Sequence, residues 1–77
     1  MLVLPYKKAA TVTKSDATVL APTRAVFVGG AGNLAVIMAD DDSAVTIPGV
    51  VAGSVLQISV TKVMSTNTTA TNIVALY

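Results

Sequence analysis

From Arg24 onward the chain alternates between short apolar stretches and clusters of glycine, asparagine, aspartate and proline. Apolar runs of this length, cut by such turn residues, predict consecutive antiparallel strands. The first is Thr23 to Val28. Its core, Ala25 to Val28, has no polar alternation, which predicts cover on both faces. Gly29-Gly30-Ala31-Gly32-Asn33 then turns the chain, since glycine and asparagine tolerate positive φ. The second strand is Leu34 to Ala39, with Leu34, Val36 and Met38 on one face and the small Ala35 and Ala39 beside Ile37 on the other. Asp40-Asp41-Asp42-Ser43 ends it, Val45-Thr46-Ile47 forms a short third strand, and Pro48-Gly49 reads as the centre of a type II turn. The run Val55 to Val63 predicts one long half-buried strand: Leu56, Ile58 and Val60 face the core, and Gln57, Ser59 and Thr61 face water. By that phase Lys62 falls on the apolar side. Ser65 to Asn72 is a polar loop, and Ile73 to Tyr77 a last strand that pairs and closes the sheet.

Residues 1–22 read differently. Pro5 and Pro22 bracket a segment of Thr, Ser and Ala with Lys7, Lys8 and Lys14 against Asp16. Leu2-Val3-Leu4 has the composition of a short pairing strand. Ser15 and Asp16 suit the cap of one helical turn, which Pro22 keeps from continuing. The expectation is an extended basic arm, residues 1–22, ahead of a β-domain spanning 23–77. The fold class is all-β: a small antiparallel β-sandwich or barrel with an extended N-terminal arm. Its core draws on Phe27, Val36, Ile47, Leu56, Ile58, Val60 and Ile73.

Composition sharpens this picture. A chain of 77 residues holds one domain and buries only about 60% of its unfolded surface. It has no cysteine and no histidine, so neither a disulfide nor a zinc site of the usual kind can staple it. Charged residues make up 12% of the chain and hydrophobic ones 53%, where a globular average is roughly 25% charged. A small domain has proportionally more surface to solvate. The deficit points to a surface covered by neighbouring molecules. No apolar run approaches the roughly 20 residues of a membrane-crossing helix. The apolar Met1 to Leu4 precedes Lys7 and Lys8, the reverse of a secretory signal, so none is expected.

The candidate chemistry is thin. Asp40, Asp41 and Asp42 form the one acidic cluster. Consecutive aspartates lack the spacing of a calcium loop, so the expectation is a solvated hairpin tip that can meet basic residues on a partner. Gly30, Gly32 and Ala35 fit a relaxed dinucleotide fingerprint, but that motif needs a helix next, and Leu34 to Ala39 reads as a strand. With no His, Glu or Cys, the carboxylates for acid–base work are Asp16 and one turn cluster, and no histidine is present to activate a Ser or Thr as a triad requires. The five basic residues are scattered, with only Tyr6, Phe27 and Tyr77 to stack on bases, which argues against nucleic acid. No enzyme, cofactor or metal is expected.

The run Pro22-Thr23-Arg24-Ala25-Val26-Phe27-Val28-Gly29-Gly30-Ala31-Gly32-Asn33 resembles the small head-spike base proteins of tailed phages and gene transfer agents. The resemblance continues through Val36-Ile37-Met38-Ala39-Asp40, Pro48-Gly49-Val50 and Thr69-Ala70-Thr71-Asn72-Ile73-Val74-Ala75-Leu76-Tyr77, and so covers most of residues 14–77. It implies a capsid-decorating virion protein, spike base or cement, that oligomerises on the outer capsid surface as a pentamer or trimer. The implied partners are the major capsid protein, further copies of the chain and a spike fibre, with no nucleic acid and no membrane. Lys7, Lys8 and Lys14 of the arm and Asp40, Asp41 and Asp42 of the tip are the candidate capsid or inter-subunit contacts. Removing residues 1–14 is then expected to weaken particle binding and leave the fold intact. The alternative is a module whose hairpin tips bind a host glycan or receptor.

Overall fold

The computed structural model describes residues 5–77; the pairing expected of Leu2-Val3-Leu4 lies outside them. The strands are β1 (Ala9–Val12), β2 (Ala25–Gly30), β3 (Gly32–Met38), β4 (Val45–Val50), β5 (Ser54–Leu56), β6 (Val60–Val63) and β7 (Thr71–Leu76). They form two antiparallel sheets, one in the order β1-β7-β2-β5 and the other in the order β4-β3-β6. The all-β fold expected from the sequence, sandwich or barrel, is present as two packed antiparallel sheets. Period-2 alternation places Val26 and Val28 of β2 and Leu34 and Val36 of β3 inside, where they meet Val50, Val60, Val63, Ala70 and Ile73. Met38, Ile47, Leu56 and Ile58 pack at the margin of this core.

The connections differ from a simple meander. Among the described residues only β3 and β4 are a hairpin; β2 pairs with β5 and β7, and β3 with β4 and β6. The glycine-rich stretch carries the chain from one sheet to the other, with Ala31 alone between β2 and β3. Pro48-Gly49 does not end a strand either. Gly32 pairs with Val50 and Leu34 with Ile47, so two residues of β4 stand opposite Asn33 alone and form a bulge. Gly49 has the expected positive φ of 69°, and its N–H donates to Asn33 Oδ1 at 3.2 Å.

The run Val55 to Val63 is two strands rather than one. β5 pairs with β2 in the first sheet, residues 57–59 cross the gap, and β6 pairs with β3 in the second. Leu56, Ile58 and Val60 still point inward, because both sheets present their inner faces to one core. Alternation reports which face is buried, and it is blind to a change of sheet. Lys62 is a further correction. Met38 pairs with Val60 but Ile37 with Lys62, so Thr61 is an extra residue that inverts the phase. Lys62 comes to stand beside Ile37 on the outer face, and Val63 fills the core.

Residues 7–23 run along one open side of the sandwich and serve both sheets. β1 pairs with β7 from Ala9↔Leu76 to Val12↔Ile73. Beyond it no helical turn forms; Ser15 Oγ accepts the N–H groups of Ala17 and Thr18 at 3.2 and 3.3 Å in a bend. The chain then follows β6, with Ser15 N–H donating to Val63 O, Leu20 N–H to Thr61 O and Thr23 N–H to Val60 O. Buried Thr23 completes the seam, its hydroxyl donating to Ile58 O at 2.9 Å and accepting Val60 N–H at 3.0 Å. One segment thus caps the edges of β7 and β6, which would otherwise present unpaired backbone to water.

Candidate functional site

The structure separates the sequence-derived candidates into three places. Asp40, Asp41 and Asp42 sit exposed at the β3–β4 tip, where Asp41 N–H donates to Met38 O at 3.0 Å. A shallow open groove of about 240 Å³ lies beside it, lined by Met38, Ala39, Asp40, Asp41 and Ser59. No group of three or more His, Cys, Asp or Glu side chains converges on a metal position among the described residues. The glycine motif opens a strand and not a helix, so it lacks the array of N–H groups that cradles a phosphate.

Lys14 is exposed, but its ammonium is spent on a bond within the molecule. Its Nζ donates to Thr68 O at 2.9 Å, beside an open groove of about 280 Å³ between residues 12–14 and 70–73. Asp16 is held next to it. Its Oδ1 accepts the N–H groups of Ser65 and Thr66 at 2.8 and 3.0 Å, and its Oδ2 accepts the Thr66 hydroxyl at 2.6 Å. The loop that these residues clasp is polar in sequence but not loosely held. Thr68 is buried, and its hydroxyl accepts Ala35 N–H at 3.0 Å and donates to Ala35 O at 3.4 Å.

The Thr66 hydroxyl, followed by the backbone bonds, lowers the Asp16 pKa below its ordinary value. A carboxylate whose folded pKa is depressed stabilises the fold above the unfolded pKa and loses that contribution as pH falls through the folded one. The melting temperature of Asp16→Ala should therefore lie below that of the wild type at neutral pH, and the gap should close as pH falls below the usual aspartate range. Thermal melts of both proteins across that range read this directly, and a gap that persists at the acid end would contradict it.

Lys7 and Lys8 lie elsewhere, where β7 ends and β2 begins. Both backbone N–H groups donate to Tyr77 O, and Tyr77 N–H donates to Lys8 O. The Lys8 ammonium sits 5.7 Å from the centre of the Tyr77 ring. Arg24 joins them: its N–H donates to Leu76 O, and its guanidinium lies 5.7 Å from the centre of the Tyr6 ring. Each arrangement is a cation–π contact. This end of the first sheet is cationic.

Phe27 is the largest departure from the expected core. Val26 and Val28 are fully buried, so Phe27 between them points outward from the sheet. The register sets Thr11, Val74, Phe27 and Val55 side by side across β1, β7, β2 and β5. Leu76 shares that face one pair along. Val55 is 49% exposed, and Phe27, Val74 and Leu76 are half-buried. The signal for this face was the lack of alternation in Ala25 to Val28 and in Ile73 to Leu76, which calls for cover on both sides. Thr23 and Thr68, the buried polar side chains, spend their hydroxyls on backbone groups. No buried side-chain nitrogen or oxygen is left unpaired among the described residues.

No family model matches the chain, and no curated protein does. Among solved structures it is similar to a chain in one described as "Capsid of native GTA particle computed with C5 symmetry". The identity is 31%, the TM-score 0.82, and the match covers 95% of this chain and 84% of that one.

Proposed function

We infer the role of this chain from where it belongs, with the capsid-related proteins of phages and gene transfer agents: it is a virion structural protein that decorates the outer face of the capsid as a homo-oligomer. The observation that carries this reading is the 31% identity held over 95% of the chain at a TM-score of 0.82. The composition agrees with it. A small β-sandwich without disulfides, with 12% charged residues and an apolar outer sheet face, suits a protein that works against protein neighbours. The chemistry agrees as well, since the side chains are arranged for backbone satisfaction and packing. The role is mechanical: the chain adds a rigid β-rich unit to a shell, as a spike base or as cement between capsomers, with the major capsid protein beneath it.

Copy number per particle tests this. Quantitative mass spectrometry of purified particles, against the major capsid protein, should return about 55–60 copies if rings of five sit at the vertices, because closed symmetry fixes the count per site. A count on the order of hundreds identifies cement spread over the shell. Absence from the particle refutes the virion role.

A further inference from the structure

We propose that the free edge of β1 takes up a further strand: an extended acidic segment of another protein of the particle, joined through the backbone of Ala9 and Thr11 and held at its end by Lys7 and Lys8. This rests on the reading above that the chain sits on a capsid, and it names the surface and the kind of partner.

The other sheet edges are closed or blunted. Residues 15–23 run along β6, β4 carries Pro48, which has no N–H to offer, and β5 is three residues long. β1 is the remaining edge of the first sheet, and among the described residues it pairs with β7 alone. Lys8 and Tyr77 exchange both of their backbone bonds, at 3.3 and 2.8 Å. Doubly bonded pairs recur at every second position of an antiparallel ladder, so Ala10–Ala75 and Val12–Ile73 are the next. The N–H and C=O groups of Ala9 and Thr11 therefore point away from β7. Both residues are exposed, and the strand Ala9-Ala10-Thr11-Val12 has no charged or bulky side chain to block an approach. Main-chain bonds to such an edge are the means by which an extended segment joins a sheet.

Charge says what joins. Lys7 and Lys8 lead into β1, and Arg24 stands at the start of β2; all three are exposed. Residues 1–15 contain no acidic side chain. An Asp or Glu of the added strand beside either lysine gives a favourable cross-strand pair. A second β1 gives the reverse. Laid parallel, it sets Lys7 and Lys8 against their own copies; laid antiparallel, it brings them towards Lys14. Nor does the chain hold an acidic strand to lend. Of its four acidic residues, Asp16 is taken up by Ser65 and Thr66, and Asp40, Asp41 and Asp42 lie outside the strands, at the tip.

Amide hydrogen exchange, read residue by residue, tests this on the free chain and on the chain in purified particles. In the free chain Ala9 and Thr11 should exchange fast while Ala10 and Val12 are protected. On the particle Ala9 and Thr11 should slow about tenfold or more. Carbodiimide coupling on the particle should join Lys7 or Lys8 to an Asp or Glu of another protein. Thr11→Pro removes an outward N–H and spares the β7 ladder, so it should fold, by circular dichroism, and lower particle occupancy about tenfold. Lys7→Glu with Lys8→Glu should lower it likewise. Ala9 and Thr11 still fast on the particle overturn the proposal. So does protection already present in the free chain, which gives the edge to a segment of the same chain. Coupling to Asp40, Asp41 or Asp42 gives it to a second copy and overturns it too, as does folded Thr11→Pro at full occupancy. Each of these results leaves the capsid role standing, whereas a chain missing from the particle refutes that role and takes this edge with it.

Discussion

Replacing Gly32 by Ala lowers the stability of the fold by about 2–6 kcal/mol, the sum of overpacking and positive-φ strain. Gly32 opens β3 with φ of 154°. A Cβ there would stand 2.6 Å from Ala70 N and 2.7 Å from the carbonyl carbon of Thr69. These are backbone atoms, and they are pinned: Thr69 and Ala70 both donate to Asn33 O, at 2.9 and 3.0 Å. Relief therefore requires the loop to leave β3, which also strains the paired Thr68 hydroxyl. A 77-residue domain has roughly 4–12 kcal/mol in total, so the loss is a large share of it. Gly53→Ala is the control. Its φ is 82° but nothing lies within 4 Å of the added Cβ, so it should lose only the backbone term, about 1–2 kcal/mol. Urea melts of the three proteins measure both, and equal losses at the two positions would refute the close-approach argument.

The second large effect is loss of the N-terminal segment. Deleting residues 1–14 removes β1 and its pairing from Ala9↔Leu76 to Val12↔Ile73. It also removes the bonds of Lys7 and Lys8 to Tyr77 and of Lys14 to Thr68. At roughly 0.5–1.5 kcal/mol net for each hydrogen bond, the loss is about 3 kcal/mol or more before the packing of Val12 is counted. For a domain of this size that is a fall in melting temperature of about 12–24 °C. The bare edge of β7 should also promote aggregation. The sequence pattern suggested that this segment could be removed with the fold intact; the β1–β7 ladder argues otherwise. A melting temperature unchanged by the deletion would restore the detachable arm.

Strand positions and the buried phase were legible in the sequence because alternation reports burial directly. Leu34 and Val36, or Leu56 and Val60, needed nothing more. Pairing was not legible. Leu56, Ile58 and Val60 look the same whether they line one strand or cross between two sheets that share a core. Pro48-Gly49 showed its positive φ but not that the strand runs on past it as a bulge. Lys62 was misplaced because a bulge at Thr61 leaves no mark in composition. The arm looked like a tail for the same reason: its bonds are largely backbone bonds, which are independent of side-chain identity. The candidate surface was half visible. The unbroken apolar runs said that both faces are covered, but not which side takes Phe27, which the sequence reading assigned to the core. Which charged residues gather at the end of that sheet depends on β7 ending beside β2, a fact of topology that no spacing records.

The place of β7 has a consequence for how the molecule comes into being. It is the last strand in the chain, yet it lies between β1 and β2 in the first sheet. During synthesis β3 and β4 can zip together early, while β1 and most of the length of β2 wait for a partner not yet made. At roughly 5–20 residues per second that wait lasts a few seconds; β5 can pair one edge of Val26, Phe27 and Val28 meanwhile, but their β7 edge stays open. Refolding from denaturant should likewise fall in the slow, millisecond-to-second range of non-local β-proteins. For a chain with so few charges, the vulnerable period is the one before its final strand arrives.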